Sequence, residues 1–387
     1  MAFSISELKK YEDELISLRR DFHKHPELGF EEFRTSGVVK DYLESLGITT
    51  RRMAKTGVLG ELKNGNDKVI AIRADMDALP IQEENAIPYR SEVAGIMHAC
   101  GHDAHTAMLL ITAKILSQTN FDGSVRFIFQ PAEEGLNGAS KMVEEGAIDK
   151  VSSIFAVHVW ADLPSKTLAI SPGPVLASVD QFKIRVEGKG GHGASPHQTA
   201  DPIVTSAHII AGMQSIVGRN VDPLKPAVVT VGKINGGTAF NIIPEYVDIE
   251  GTVRTFDEDV HKLIEKRVKE IAKRMAESFN CTAEVDYRCI NHATVNDKEL
   301  AEIGRSVASK ITDVVEQPPN MGGEDFSEYA RRVPGLFAFL GVRNEKLGIV
   351  YPHHSPKFNI DESALIYGVA FEVNMALKLL GAEAYSQ

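Results

Sequence analysis

The sequence predicts an α/β protein whose larger domain has a central mixed sheet flanked by helices and carries a smaller α+β domain as an insertion. Short β-branched runs alternate with helical patterns in the two outer parts of the chain, as they do in α/β sheets. The middle part has a different order, with alternating, half-exposed strands. At 387 residues the chain exceeds the ~250–300 residues at which a single core stops growing, so we expect two domains.

The outer parts contain an N-terminal helix and four apolar strands. Apolar side chains from Leu8 to Phe22 recur at helical spacing. The strands are predicted within "KVIAIRADMDALP", "SVRFIFQPAEEG", "SIFAVHVW" and "GLFAFLGV", with polar residues at or just after their ends. Between the first two strands we predict a helix with Asp103 as its N-cap. Ligands of α/β sheets gather outside the carboxyl ends of the strands, so a site is expected there.

The middle of the chain has the element order of a ferredoxin-like motif. The strand "VDQFKIRVEG" is followed by a helix with Asp201 as N-cap and Pro202 at its first position. Two strands, "AVVTVGKI" and "EYVDIEGTVRTF", a long helix from about Asp257 and the strand "TAEVDYR" complete the order βαββαβ. We therefore place an inserted domain at 179–292 and the larger domain at 1–178 and 293–387.

Composition and charge argue against several kinds of partner. A net charge of −11 and a pI near 5.7 do not suit nucleic acid or an anionic membrane, which require a basic surface. No segment resembles a signal peptide or a membrane span. Three cysteines, Cys100, Cys281 and Cys289, are too few for a disulfide framework. We expect a cytoplasmic protein that acts on a small molecule.

Metal-ligand side chains are concentrated in "MHACGHDAH" and near the ends of the predicted strands. The candidates are Cys100, His102, Glu133 or Glu134, His158, and His353 or His354. Thiolate, imidazole and carboxylate together suit zinc and its first-row neighbours better than calcium or magnesium. Their number exceeds the needs of one tetrahedral ion, so the pattern predicts two metals about 3.5–4 Å apart with a bridging hydroxide as nucleophile. Each residue taken alone has a purely structural explanation, but the coincidence of four such segments favours metal binding.

The adjacent carboxylates of "QPAEEG" are predicted to have different chemical roles. Neighbouring side chains in a loop diverge, so one of Glu133 and Glu134 can ligate a metal while the other acts as general base. The stretch "GKGGHG" matches a dinucleotide-binding pattern, but Pro196 and Pro202 delay the helix that would receive a pyrophosphate. We expect a sharp loop there and no nucleotide site.

A series of motifs extends over nearly the whole chain: "RRDFHKHPELGFEE", "IRADMDALPIQE", "MHACGHDAHTAML", "FIFQPAEEG", "GHGASPH", "GGTAFNIIPE", "GTVRTF", "GGEDFSEYA" and "HHSPKFNIDE". Their combination resembles the di-metal amidohydrolases and peptidases of aminoacylase and carboxypeptidase type. The sequence is most similar to the branch of hippurate hydrolases, indole-acetyl-amino-acid hydrolases and N-acetyl-diaminopimelate deacetylase. The resemblance implies a metallo-amidohydrolase that cleaves N-acyl amino acids with two divalent ions (zinc, manganese, cobalt or nickel).

The resemblance also implies roles for individual residues. It makes Glu133 the general acid/base and His192 the residue that helps to hold the carbonyl oxygen. Asn241 and Arg254 match positions that bind the substrate near its carboxylate, which a guanidinium grips bidentately. The inserted domain resembles the family's lid and dimerisation domain, so a homodimer or higher homo-oligomer is expected. The implied metal ligands are Cys100, His102, Glu134, His158 and His354, the last because it directly precedes Ser-Pro.

The sequence departs from the wider family at one position. Asp75-Met76-Asp77 replaces a His-x-Asp metal motif. We expect His102 to supply the missing imidazole and Cys100 to stand where other members use a bridging aspartate. Asp75 and Asp77 then become candidates for orienting the ligands.

The mechanism that follows is hydrolysis of an amide by metal-activated water, with Glu133 moving the protons. Two alternatives stay open. One is a metallo-dipeptidase or carboxypeptidase built on the same site. The other is a non-catalytic metal-binding or peptide-binding protein, for which a general base would have no use.

Overall fold

The computed structural model describes residues 3–381. The chain divides into two compact units. The larger unit comprises the residues up to Val175, Val295–Pro318 and the residues from Asp325 onward. The smaller, inserted unit comprises Leu176–Thr294 and Pro319–Glu324.

The bounds of the helices and strands are as follows. Helices α1 to α10 comprise Ile5–Leu8, Glu12–Lys24, Phe33–Ser45, His102–Ser117, Gly138–Glu144, Pro202–Ser215, Glu258–Ser278, Lys298–Ala308, Ser327–Ala330 and Leu365–Leu379. Strands β1 to β16 comprise Thr49–Met53, Gly57–Asn64, Val69–Asp75, Gly123–Gln130, Val151–Pro164, Leu168–Ala169, Gly173–Leu176, Ser178–Glu187, Gly191–His192, Ala227–Gly236, Ile242–Ile243, Tyr246–Thr255, Thr282–Asn291, Thr294–Asn296, Val314–Val315 and Gly335–Arg343. Across residues 3–381, no helix combines the length and apolar character needed to span a bilayer.

The larger unit is built on an eight-stranded mixed sheet with the order β1-β2-β4-β3-β5-β16-β6-β15. Strands β4, β3, β5 and β16 run parallel to one another, whereas β1 and β2 pair antiparallel with their neighbours. Strand β6 is antiparallel to β16 and parallel to β15. Helices α4 and α10 pack against each other and against this sheet. The predicted class, an α/β fold with a central mixed sheet and flanking helices, is confirmed.

Helix α4 begins one residue before its predicted N-cap, so the prediction of Asp103 as N-cap is wrong. The N-cap is Gly101, whose φ of 91° lies in the left-handed region. A Cβ at Gly101 would lie 2.3 Å from Cγ2 of Val159, so both the backbone angle and the space require glycine. Asp103 is buried and accepts from Arg19 and His23 instead.

The inserted unit contains a four-stranded antiparallel sheet with the order β10-β12-β8-β13. Helices α6 and α7 cover the face that carries Phe182, Ile184 and Val186. The helices begin where predicted, because the carboxylates of Asp201 and Asp257 accept from the first free N–H groups of α6 and α7. The chain order β8-α6-β10-β12-α7-β13 is that of a ferredoxin-like motif.

A buried carboxyl on α10 makes the stability of the larger unit depend on pH. The hydroxyl of Thr112 on α4 donates to Oε2 of Glu372 at 2.6 Å. Burial raises the pKa of Glu372 to about 8 from an ordinary value of 4.5. The folded protein therefore keeps a proton that the unfolded chain releases.

Between about pH 4.5 and about pH 8 this proton makes the free energy of unfolding fall as pH rises. Glu372→Gln should remove that part of the slope and leave the variant more stable than wild type at high pH, by up to about 5 kcal/mol. Urea unfolding at several pH values measures both effects. Glu302→Gln, on the exposed face of α8, is the control, and equal slopes in wild type and Glu372→Gln would contradict this account.

Candidate metal centre

The candidate ligands lie at the edge of the sheet where its parallel strands end. Asp75 is the last residue of β3, and Glu134 belongs to the loop after β4. His158 lies in β5, and His354 follows β16. Helix α4, which begins at His102, packs on β3 and β5. Because these strands are parallel neighbours, segments distant in sequence meet at one edge.

The structure brings the five predicted ligands together in one cluster. Sγ of Cys100 lies 3.7 Å from Nε2 of His158. Oε1 of Glu134 lies 3.4 Å from Nε2 of His354 and 4.0 Å from Nε2 of His102. Donor atoms of Cys100, His102 and Glu134 all lie within 4.8 Å of one another. These spacings suit donors that share ions with bond lengths of about 2.0–2.3 Å.

Two aspartates hold the imidazole of His102 from either side. Nδ1 of His102 lies 3.3 Å from Oδ1 of Asp77, and Nε2 lies 3.7 Å from Oδ2 of Asp75. Asp77 also accepts from the backbone N–H of Glu134 at 2.9 Å. The carboxylate of Asp77 thus lies beside both the ring of His102 and the loop that carries Glu134, and residues in such positions can orient metal ligands.

His105 has its two ring nitrogens engaged within the protein. Nδ1 donates to Oδ1 of Asp75 at 2.6 Å, and Nε2 accepts from the backbone N–H of Val159 at 2.9 Å. Burial lowers the pKa of His105, consistent with a neutral ring. Although His105 is close to His102 and His158, both of its ring nitrogens are engaged, so it supports the cluster rather than facing an ion.

The adjacent histidines His353 and His354 face different surroundings. Nε2 of His353 accepts from the N–H of Ala161 at 3.0 Å, and burial lowers the pKa of His353 to about 3. His354 has a φ of 64° and faces the cluster. The neighbouring Cys100 thiol and Glu134 carboxylate raise the pKa of His354 to about 10. His353 thus forms a hydrogen bond within the fold, whereas His354 faces the candidate metal ligands Cys100 and Glu134.

The charge balance of the cluster favours a cation. Burial alone would lower the pKa of His102, but Asp75 and Cys100 raise it well above the ordinary value. Burial and the charge of Glu134 raise the pKa of the Cys100 thiol. The buried donors therefore retain protons that a divalent cation can replace.

Several polar atoms of the cluster lack a hydrogen bond within residues 3–381. They are both ring nitrogens of His102 and one carboxylate oxygen each of Asp77 and Glu134. Buried polar atoms are nearly always paired in folded proteins. These atoms lie close to one another and to the thiol and imidazole donors, an arrangement that fits a bound divalent cation.

Glu133 and Glu134 point to different groups, as predicted for neighbours in a loop. Ala132, with a φ of 55°, turns the chain at the end of β4. Glu134 faces the histidines, whereas a carboxylate oxygen of Glu133 lies within 4.8 Å of Asp325. Asp325 is itself held by Arg73 at 3.1 Å. The two carboxylates therefore have different neighbours.

Comparison with known proteins identifies the family. Residues 71–378 match the model of peptidase family M20/M25/M40. The chain belongs to this family. It is 41% identical to the N-acetyl-L-cysteine deacetylase of Bacillus subtilis over 98% of this chain and 91% of that protein. It is 38% identical to the hippurate hydrolase of Campylobacter jejuni, with 97% and 99% covered.

A solved structure supports the same assignment. The YXEP protein of Bacillus subtilis, described as a dinuclear metal binding peptidase of the M20 family, superposes with a TM-score of 0.86. The identity is 36%, and the match covers 97% of this chain and 100% of that chain. The family predicted from the motifs is confirmed, and so is the class of enzyme, a hydrolase that acts on amide bonds.

In this M20 member, the sequence did not reveal a buried charge network behind the metal loop. Nε of Arg19 lies 2.9 Å from Oδ2 of Asp103, which Nδ1 of His23 also approaches at 2.7 Å. Asp103 follows His102 directly, so α2 fixes the start of α4. The sequence feature that could have indicated this network is the pair Arg19 and His23, which are spaced i,i+4 beside the apolar face of α2.

The three site residues predicted in the inserted unit fall into two groups. β9 pairs with β11, His192 opposite Ile242, and the N–H of Gly193 donates to the carbonyl of Asn241 at 2.8 Å. His192 and Asn241 are therefore neighbours. Asn241 lies five residues before Tyr246, the first residue of β12. Arg254 lies near the last residue of this strand, eight residues beyond Tyr246, which corresponds to roughly 27 Å along the strand.

The left-handed turn at Gly101 separates Cys100 from His102 and should be indispensable. Gly101→Ala should lower the free energy of unfolding by roughly 2–4 kcal/mol, because it adds both backbone strain and a clash with Val159. It should also weaken metal binding. Gly95→Ala is the matched control, since Gly95 has a φ of 77° but no atom within 4 Å of an added Cβ. Equal losses in the two variants, measured by denaturant unfolding, would show that the clash has no effect.

Proposed function

We propose that the protein hydrolyses the amide bond of N-acyl amino acids at a centre of two divalent cations. The proposed ligands are Cys100, His102, Glu134, His158 and His354. The observation that carries the proposal is the divergence of Glu133 from Glu134, which leaves one carboxylate for the metals and one for proton transfer. Zinc, manganese, cobalt and nickel all suit this donor set.

When bound, the cations lower the pKa of a water molecule and polarise the acyl carbonyl. Glu133 takes a proton from the attacking water and then delivers it to the departing amine, which is otherwise a poor leaving group. His192 donates a hydrogen bond to the oxygen on which negative charge develops. Asp75 and Asp77 keep the ring of His102 in place throughout.

The substrate's carboxylate is assigned to Arg254, with Asn241 as a further contact. Burial lowers the pKa of the half-buried Arg254 guanidinium. The guanidinium of Arg254 makes no hydrogen bond or salt bridge with the described part of the chain, so its N–H groups are available for a bidentate carboxylate. The named substrates of two relatives, N-acetylcysteine and hippurate, are N-acyl amino acids.

A carboxypeptidase activity is the second candidate. The chain is 40% identical to thermostable carboxypeptidase 2 of Saccharolobus solfataricus, with 96% of this chain and 97% of that protein covered. Both reactions cleave an amide next to a residue with a free carboxylate. They differ in whether the acyl side carries a free amine.

We propose that the inserted unit, expected at 179–292, is a lid and dimerisation domain and that the working form is a homodimer. The roughly 27 Å between the two ends of β12 exceeds the length of an N-acyl amino acid. Arg254 and the pair His192 and Asn241 therefore cannot contact one substrate from the same copy. A second copy supplies His192 and Asn241.

Exposed apolar side chains of the inserted unit support this assembly. They are Ile203, Val204, Ile234, Phe240 and Ile242, and Phe240 is fully exposed. Ile203 at the start of α6 lies 3.6 Å from the Cβ position of Gly237, close in sequence to Ile234 and Phe240. Exposed apolar side chains that lie near one another mark interaction surfaces.

We also propose that the protein acts in the cytoplasm, without nucleic acid or membrane as partner. Cys100, Cys281 and Cys289 form no disulfide within residues 3–381, which suits a reducing compartment. The net charge of −11 opposes binding to polyanions.

The substrate class can be tested by amine release from N-acetyl amino acids, N-benzoyl amino acids and dipeptides. Protein stripped of metal should be inactive and should recover turnover with manganese, cobalt or zinc. Turnover of N-acyl amino acids should exceed that of dipeptides with the same C-terminal residue. Preference for dipeptides would replace the proposal with the carboxypeptidase, and metal-independent turnover would contradict both.

The roles of Glu133 and His192 can be tested together by mixing subunits. Glu133→Gln and His192→Ala should each lower kcat at least about 100-fold while keeping the fold and the bound metals. Because each heterodimer would contain one complete site, co-expression should restore about a quarter of wild-type activity. Mixing Glu133→Gln with the exposed variant Glu144→Gln is the control for assembly. If the mixture is no more active than Glu133→Gln or His192→Ala alone, His192 acts within its own subunit.

A further inference from the structure

The motif "HPELGFEE", residues 25–32, has no part in the proposed reaction, although its last residue reaches the loop after β4. Glu32 is the N-cap of α3, but its side chain makes no capping hydrogen bond. The carboxylate of Glu27 takes that place, because it accepts from the backbone N–H groups of Arg34 and Thr35 at 2.9 and 2.8 Å. The carboxylate of Glu32 is therefore not needed to cap the helix.

Glu32 is fully buried and binds the turn at the end of β4. Its Oε1 accepts from the backbone N–H of Ala132 at 2.8 Å, and its Oε2 accepts from the hydroxyl of Thr56 at 2.5 Å. Ala132 has a φ of 55°, which is unfavourable for a residue with a Cβ. Such a conformation persists only where the surrounding structure enforces it. The hydrogen bond to Glu32 is one contact that does so.

The segment 27–32 also binds the chain just after β3. The backbone N–H of Ala78 donates to the carbonyl of Glu27 at 2.8 Å. The preceding residue, Asp77, is buried and accepts from the backbone N–H of Glu134 at 2.9 Å. The segment 27–32, the chain after β3 and the loop after β4 are thus joined to one another by hydrogen bonds.

Glu133 lies between the two residues that these hydrogen bonds hold. The N–H of Ala132 donates to Glu32, and the N–H of Glu134 donates to Asp77. Both accepting carboxylates are buried, and a hydrogen bond in such surroundings is electrostatically stronger than in water. A shift of either neighbour would move the carboxylate of Glu133 relative to the candidate metal ligands.

Close packing at Gly29 supports the same turn. A Cβ at Gly29 would lie 3.1 Å from Cα and Cβ of Ala132 and 2.9 Å from Cδ1 of Leu136. The end of the leucine side chain can move aside, but the backbone of Ala132 can yield only if the turn itself shifts. A glycine at this position therefore lets the segment 27–32 pack directly against the turn.

We propose that Glu32 is a positioning residue, which holds the turn at Ala132 so that the carboxylate of Glu133 reaches the reacting water. This inference rests on the proposed function, in which Glu133 transfers the protons. Glu32 acts through the backbone of Ala132 and needs no contact with the substrate. General base catalysis requires the base to lie within hydrogen-bond reach of the proton that it takes. A displaced turn therefore lowers kcat rather than substrate binding.

Replacing Glu32 tests this role in the full-length enzyme with its metals bound. Glu32→Met removes the acceptor but keeps a side chain of similar length. With an N-acetyl amino acid as substrate, it should lower kcat at least about tenfold and keep KM within about twofold of wild type. The metal content per chain should equal that of wild type. Glu372→Met is the matched control, because Glu372 is also a buried carboxyl that accepts from a threonine hydroxyl, and it should leave kcat unchanged.

The conservative variant Glu32→Gln separates the hydrogen bonds from the charge. Its amide oxygen can accept from Ala132, and its NH₂ group can donate to the hydroxyl of Thr56. Burial raises the pKa of Glu32 to about 7, so an uncharged group of the same shape is a close substitute. Glu32→Gln should keep kcat within about threefold of wild type. A loss as large as that in Glu32→Met would contradict a role that depends on these hydrogen bonds.

Hydrogen exchange reports on the turn without hydrolysis. A peptide that covers residues 130–137 should take up deuterium faster in Glu32→Met than in wild type, because the N–H of Ala132 loses its buried acceptor. The same peptide should exchange at the wild-type rate in Glu372→Met. Equal uptake in Glu32→Met and wild type overturns the proposal, whether or not the protein hydrolyses amides. Absence of amide hydrolysis in wild type contradicts the proposed function, and exchange then decides whether Glu32 holds the turn.

Gly29→Ala disturbs the turn while the carboxylate of Glu32 stays in place. The added methyl group should displace Ala132 and lower kcat at least about threefold. Gly37→Ala, within α3, is the matched control, because no atom lies within 4 Å of the added Cβ. Equal kcat in Gly29→Ala and Gly37→Ala, or faster exchange with unchanged kcat in Glu32→Met, would show that the position of the turn does not affect the reaction and would overturn the proposal.

Discussion

The carboxylate of Asp75 connects three elements of the candidate centre. It ends β3, accepts from His105 of α4 at 2.6 Å, and through His105 reaches the backbone of Val159 in β5. A buried charge is costly unless it is paired. Burial is offset by Arg73 and His102, which hold the pKa of Asp75 well below its usual range. The positions of His102 and His158 therefore depend on this one ionised side chain.

Much of the fold could be predicted because it depends on local pattern. Alternation within β8 and the capping carboxylates Asp201 and Asp257 are properties of short segments, and the structure has those elements at the predicted places. The prediction of Asp103 as an N-cap was wrong for the same reason, because aspartate is a common N-cap residue and only the local pattern was used. Its actual partners, Arg19 and His23, lie about eighty residues earlier in the chain, and no local pattern predicts such a contact.

The candidate site was predictable in composition but not in geometry. The density of donor types around Cys100 and His102 indicates a metal. Nothing in the sequence decides by physics between His353 and His354, because the choice depends on the φ of His354 and on the N–H of Ala161.

The strand order of the larger sheet has a consequence for how the chain folds as it is synthesised. Strand β6 lies between β16 and β15 in the sheet, and β16 also pairs with β5. Both β15 and β16 emerge from the ribosome after the four-stranded sheet of the inserted unit, which is complete at Asn291. In that sheet Asn291 pairs with Val179, so early folding of the insertion brings the ends of a long intervening loop together. The loss of conformational entropy when β5 pairs with β16 is thereby reduced. Folding of the insertion therefore favours folding of the domain that contains it.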